Sequence, residues 1–337
     1  MAKLLIYCNK FAKDDDLLGF FPGWVARLLE HFENIIVLTP QPGQYEPSSQ
    51  LTVITLPREK SKRLVQFWAE LWQRRKHYDT VFVLMAPAWL IAAAPLRLLQ
   101  KRLVLWYAVW KRTSKLRLAT AWANRVVTSV AKAFPLATKK LIAVGQGIDT
   151  EYFQSGSGRQ SGQILTLGRI SPVKHLEQVI TAVAQLPDRQ LIIVGGPANA
   201  NDDSYYRDLR AQAAPLGARV IFHGRLAHDR ILPFYQQADI FVNLTVAGSF
   251  DKAMLEAMAC GCIVISINEG LRAFLEPVLA EKILIKSEQL TAKLVEILSL
   301  SEEEKGKIRK NLRAMVVRDH SLQVMIPKLA SVLKNEK

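Results

Sequence analysis

Asn243–Gly261, NLTVAGSFDKAMLEAMACG, decides the reading of this chain. An apolar strand end runs into a small-residue loop carrying Asp251 and Lys252. A helix with Glu256 near its start follows, then the apolar run Ile263–Ser266. A strand, a helix and a second apolar strand this close together form a parallel βαβ unit, with both strands buried. Glu256 is then presented near the carboxyl end of a strand, where open α/β sheets bind ligands.

Upstream, the same alternation repeats. Strands are predicted at Gln163–Leu167, Gln190–Val194, Val220–His223 and Ile240–Leu244, and helices at His175–Leu186, Tyr205–Ala214, Ile231–Gln236 and Ala253–Ala259. Before residue 153, strands are predicted at Lys3–Cys8, Ile35–Leu38, Leu51–Leu56, Val81–Met85, Leu103–Trp106, Val126–Thr128 and Leu141–Val144. Gly23–Phe32, Arg58–Tyr78 and Ala88–Leu99 read as helices between them. Leu64, Phe67, Trp68, Leu71 and Trp72 recur at helical spacing and are expected in a core or interface. The Gly/Ser-rich segment between Phe153 and Gln163 reads as a linker near the midpoint. The expected class is therefore α/β with two Rossmann-like domains, at 1–158 and 159–319. A helix at about 320–337 is expected to pack back on the first domain.

At 337 residues and 50% apolar content, the chain has enough to bury two cores and is not expected to be disordered. Cys8, Cys260 and Cys262 suit buried thiols in a reducing compartment, not a disulfide framework or a metal cluster. The opening MAKLLIYCNKFAK is too short for a secretory signal. The uncharged window Thr80–Leu96 is broken by Pro87 and Pro95, so no membrane span is expected. The placement read from this is cytoplasmic.

Net charge is +15, and residues 1–150 carry twenty-two Lys or Arg against ten Asp or Glu. No acid occurs from Thr80 to Gln146, whereas Arg97, Lys101, Arg102, Lys111, Arg112, Lys115, Arg117, Arg125, Lys132, Lys139 and Lys140 do. A field of one sign attracts anionic partners. A solvated surface, an anionic membrane or a phosphate-bearing lipid-linked acceptor all fit it. Nucleic acid has no supporting motif and is not expected as a partner.

The second chemical segment is Gly168-Arg169-Ile170-Ser171-Pro172-Val173-Lys174, between a strand and a helix. Glycine allows close approach, Arg169 offers a planar fork to phosphate oxygens, and Lys174 adds a mobile charge. Two cations at a helix start oppose the helix dipole, which favours an anion-binding reading over a bland one. The Gly195-Gly196-Pro197 and His223-Gly224-Arg225-Leu226 strand ends could border the same pocket, or be ordinary turns. Gly248-Ser249-Phe250-Asp251-Lys252 leads into the Glu256 helix, whose N-terminal amides favour an anion. Asp251 could equally be an N-cap, and Lys252 a solvated charge.

These two segments resemble the late signature of retaining glycosyltransferases of family 4, which have the GT-B fold. That group includes sucrose and glycogen synthases and bacterial mannosyl- and glucosyltransferases. The resemblance is strongest over residues 163–270. It implies two Rossmann-like domains facing across a cleft. Arg169 and Lys174 are implied as the catalytic pair gripping a donor diphosphate, and Glu256 as the contact to its ribose. It further implies donor-binding roles for Gly19, Gly196, Arg225, Leu226, Ser249, Phe250, Asp251 and Lys252. Phe20, Phe21, Tyr107 and Trp110 are expected on the acceptor side.

Two departures stand out. Gly248 occupies the place of the family's first signature glutamate, and no histidine occurs in Leu105–Trp110. The expected function is transfer of a hexose from a UDP- or GDP-linked sugar to a hydroxyl of a glycan or lipid-linked acceptor. No tightly bound cofactor or metal is expected. A nucleotide-sugar epimerase, or a non-catalytic protein binding anionic surfaces or nucleic acid, remain as alternatives.

Overall fold

A computed structural model describes residues 2–197, 199–245 and 251–336. Two compact units divide the chain: Met1–Gly147 with Ala227–Asp229 and Leu322–Lys337, and Ile148–Leu226 with Arg230–Ser321.

The first unit runs β1 (Lys3–Tyr7), α1 (Phe21–Leu28), β2 (Asn34–Thr39), β3 (Leu51–Thr55), α2 (Lys60–Gln73), β4 (Thr80–Leu84), α3 (Pro87–Ala93), β5 (Arg102–Trp106), α4 (Ser114–Trp122), β6 (Arg125–Thr128) and β7 (Leu141–Ala143). Its strands form one sheet ordered β3-β2-β1-β4-β5-β6-β7. Every pairing in it is parallel. The two-residue period of a strand sends alternate side chains to opposite layers. Leu4 and Ile6 of β1 join Trp24 and Val25 of α1 on one face. Leu5 and Tyr7 join Phe67, Leu71, Leu90 and Leu116 on the other.

The second unit continues with β8 (Ile164–Leu167), α5 (Leu176–Ala184), β9 (Leu191–Val194), α6 (Ala200–Ala213), β10 (Val220–Gly224), α7 (Leu232–Gln237), β11 (Ile240–Asn243), α8 (Lys252–Ala259), β12 (Ile263–Ser266), α9 (Pro277–Ile283), α10 (Leu290–Ser299) and α11 (Glu302–His320). Its parallel sheet is ordered β10-β9-β8-β11-β12. A hub of buried charge fastens α11 to this sheet. Asp239, wholly buried, accepts the Gly162 N–H at 2.9 Å and pairs with Arg309 and with Lys305, whose ammonium is 3.8 Å away.

The last helix, α12 (Leu322–Lys334), belongs to the first unit. Met325, Ile326, Leu329 and Leu333 join the core beside α1, and the Thr80 hydroxyl donates to the Leu333 carbonyl at 2.8 Å. At Gly147 the backbone is left-handed, and a Cβ there would meet Met325 and Trp24.

Several expectations need correction. The boundary falls at Gly147–Ile148, whereas the Gly/Ser-rich segment lies inside the second unit. There Arg159 binds the carbonyls of Ala238 and Cys260. Ala88–Leu99 is not one helix, because α3 tightens into a 3-10 turn at Ala94–Leu99, where Pro95 removes a donor. On α2 only Phe67 and Leu71 are buried; Leu64 and Trp72 are exposed, since the helix covers the sheet with a narrow stripe.

Candidate nucleotide-sugar site

In the second sheet the strand order reverses between β8 and β11, and open α/β sheets bind ligands at the carboxyl ends of the strands flanking such a switch point. The chemistry-bearing segments found in the sequence leave the sheet at this place. Gly168 follows β8 with φ 127°, a left-handed backbone that glycine adopts without strain. Its amide donates to the Val194 carbonyl at 3.0 Å, and the Ile170 amide to Gly196 at 3.0 Å. The turns after β8 and β9 are thereby laced together. They approach so closely that a Cβ on Gly195 would lie 1.9 Å from the Gly168 carbonyl oxygen.

This lacing positions the cations. Arg169 is exposed on the lip. The chain then forms a short 3-10 turn, Pro172–Lys174, which brings the Lys174 ammonium back over Gly168; a Cβ on that glycine would lie 3.2 Å from it. Across the switch point, Lys174 pairs with Asp251 at the start of α8. Asp251 also accepts from the Asn243 side-chain amide at 2.9 Å and from the Ala253 N–H at 3.3 Å. It is thus the N-cap of α8 and the anchor of Lys174 together. Asn243, at the end of β11, had no motif to reveal it. The Ser171 hydroxyl is buried with no hydrogen-bond partner among the described residues.

Lys252 and Glu256 stand one turn apart on α8. Lys252 is half-buried, and desolvation pushes its ammonium down to about 7, against the pull of the Glu256 carboxylate. Lys252 is therefore not a plainly solvated charge. Glu256 is buried and accepts from the Tyr235 hydroxyl at 3.0 Å. Burial first, and the Glu256 charge second, raise the Tyr235 pKa well above the ordinary phenol range, so it stays a donor. Tyr235 was also unrecognised in the sequence, because a tyrosine inside a helix carries no positional signal. Arg225 lies along Gly196, where a Cβ would meet its Cγ at 2.7 Å. Leu226 follows it, half-buried. Gly248, Ser249 and Phe250 lie outside the described residues.

The residues expected on the acceptor side belong to the first unit, and two need correction. Phe21 is wholly buried in the core against Phe11 and Trp24, because it opens α1 on the face turned to the sheet. Tyr107 is buried against Phe134, and its hydroxyl donates to the Lys111 carbonyl at 3.1 Å. Phe20 is half-buried beside Trp24, and Trp110 is exposed. Gly19 is hemmed in by the carbonyls of Lys13 and Asp15 and by His228, which accounts for a glycine without invoking a ligand.

Cys8, Cys260 and Cys262 are buried free thiols. Burial raises the pKa of Cys8 to about 12 and that of Cys262 to about 11, which keeps both protonated and unreactive. Among the described residues no cluster of three or more His, Cys, Asp or Glu could hold a metal ion. The second unit thus brings the Lys174 ammonium over the Gly168 turn and Arg225 along Gly196, with Arg169 exposed on the same turn, and cations of these types suit phosphate oxygens.

Comparison with known proteins bears on the fold and on the second unit. Residues 148–315 match the family model of the glycosyl transferases group 1. A 144-residue stretch is 29% identical to D-inositol 3-phosphate glycosyltransferase of Mycobacterium tuberculosis, covering 39% of this chain. That match spans only 30% of the length of the curated relative. Among solved structures, Anabaena Alr3699/HepE in complex with UDP and glucose superposes with a TM-score of 0.79 at 17% identity, over 99% of this chain and 100% of that one. Sucrose-phosphate synthase of Thermosynechococcus elongatus gives 0.77 at 18% identity, over 99% of both chains. Residues 148–315 thus resemble the glycosyl transferases group 1, in a chain whose two α/β units share the fold of these solved structures.

Proposed function

We propose that this protein is a retaining glycosyltransferase that moves a hexose from a nucleoside diphosphate sugar to a hydroxyl of a glycan or lipid-linked acceptor. The observation that carries this reading is the placement of Lys174 over Gly168 at the switch point of the second sheet, with Arg169 beside it. Two cations at this turn, Lys174 anchored by Asp251, stabilise the charge that grows on the diphosphate as the sugar–phosphate bond breaks. Glu256 offers a carboxylate to the ribose hydroxyls. In front-face transfer the acceptor oxygen bonds to the anomeric carbon as the bond to phosphate breaks. The acceptor proton passes to the departing phosphate oxygen, so no histidine is needed near Leu105–Trp110.

The donor is UDP- or GDP-linked, and UDP is the first to test, since the Anabaena protein of this fold was solved with it. The basic first unit suits a phosphate-bearing acceptor and a peripheral position on the cytoplasmic face of a membrane. Among the described residues no helix is long and apolar enough to cross one. Calorimetry of UDP, GDP, ADP and CDP with the wild type and with Arg169→Ala tests the reading. One nucleotide should bind selectively and be lost in the variant. Binding of none would overturn it.

A further inference from the structure

Helix α4 faces outward with a composition that neither the core nor the donor site uses. Leu116, Ala119 and Thr120 point inward, while Lys115, Arg117, Leu118 and Trp122 are exposed. At 100° per residue, Leu118, Trp122 and Lys115 fall within about 60° of one another, one continuous stripe along the nine-residue helix. The 3-10 turn after α3 lies alongside, because Arg97 donates to the Trp122 carbonyl at 3.2 Å. It carries Leu98, which is 88% exposed, while Leu118 and Trp122 on the helix are 48% and 44% exposed. Exposed Val109 and Trp110 lead into the N-terminus of the helix, where Thr113 caps the Leu116 amide at 3.0 Å.

Cations crowd the other end. Lys140 reaches the carbonyls of Thr120 and Ala121, at 3.1 and 2.6 Å. Burial, together with the charges of Arg97 and Arg125, holds its ammonium below the usual lysine range. Like charges held this close raise the free energy of the isolated protein, and a negatively charged surface would relieve it. The apolar side chains select among anionic partners. Leucines at 98 and 118 gain nothing from a nucleic-acid backbone, but are removed from water at a headgroup–acyl boundary.

We infer that the outer face of α4 with the Arg97–Leu99 turn is a docking surface for anionic lipid bilayers, with Leu98, Leu118 and Trp122 entering the interface and Arg97, Lys115, Arg117, Arg125 and Lys140 meeting lipid phosphates. This deepens the peripheral placement proposed above and rests on it. A helix lying flat in this way brings the Val109–Arg112 segment, at the carboxyl end of β5, to the lipid headgroups.

Co-sedimentation of the full chain with phosphatidylcholine vesicles, with and without phosphatidylglycerol, tests it in the absence of nucleotide. Binding should need the anionic lipid and fall with added salt. Lys115→Gln with Arg117→Gln should weaken it by about fivefold per cation. Leu98→Ser with Trp122→Ser should weaken it as well, without altering the thermal midpoint or nucleotide binding. Equal binding to both vesicles, or unchanged binding in either double variant, overturns the inference. So does preference for a single-stranded or duplex oligonucleotide over vesicles. Because nucleotide calorimetry is read separately, failure on vesicles leaves the donor site standing, and the converse.

Discussion

Replacing Lys174 by Met does two things at the proposed donor site. It removes a cation poised over Gly168, and it leaves the Asp251 carboxylate without its countercharge. A charge-assisted hydrogen bond to a phosphate oxygen contributes about 1.5–3 kcal/mol. An uncompensated carboxylate roughly 7 Å from the diphosphate repels it by about 2 kcal/mol at an effective dielectric near 20. The single variant should therefore lose about 3.5–5 kcal/mol of nucleoside diphosphate affinity, a factor of several hundred to several thousand. Adding Asp251→Asn should return about 2 kcal/mol of that loss. Folding should survive the single change, since Asp251 keeps its bonds to Asn243 and the Ala253 amide.

Calorimetry with the diphosphate that binds the wild type, and with its monophosphate, reads the result directly. The loss should be far greater for the diphosphate. An equal loss for both nucleotides would refute the proposed role of Lys174 at the diphosphate. A double variant no better than the single would refute the coupling to Asp251.

Two further outcomes follow from buried charge. In the folded protein the Lys252 ammonium is pushed down to about 7. An unfolded lysine titrates near 10.4. The unfolded chain thus holds the extra proton between those values, and stability should rise with pH across that window and be flat below it. Lys252→Met should remove the rise, as read from urea midpoints at several pH values. Asp239→Ala removes the buried partner of Lys305 and Arg309, leaving them only the exposed Glu302, and should cost about 3–5 kcal/mol in urea unfolding. Adding Lys305→Met should recover part of it; no recovery would mean that the Gly162 bond, not the charge, is what matters.

Much of the architecture was legible because parallel strands buried on both faces must be apolar runs, and loops between them must not. Gly168–Lys174 and Asp251–Glu256 were found for a related reason: charged residues at a strand-to-helix junction have few structural uses. What stayed hidden depends on partners distant in the chain. Asn243 and Tyr235 matter through Asp251 and Glu256, and neither has a pattern of its own. Phe21 and Tyr107 were misread as acceptor contacts because an aromatic residue at a loop edge has the same local sequence whether it turns inward or outward. The unit boundary was misplaced because glycine and serine mark a loop, and loops occur inside domains as well as between them.

The position of α12 bears on how the protein is made. The Thr80 hydroxyl binds a carbonyl 253 residues further along the chain. At about 5–20 residues per second, a ribosome takes roughly 10–50 s to cover that distance. During that interval the first unit has left the exit tunnel with the apolar groove for Met325, Ile326, Leu329 and Leu333 uncovered. The nascent half thus exposes one apolar face of its sheet to water until the last helix is made.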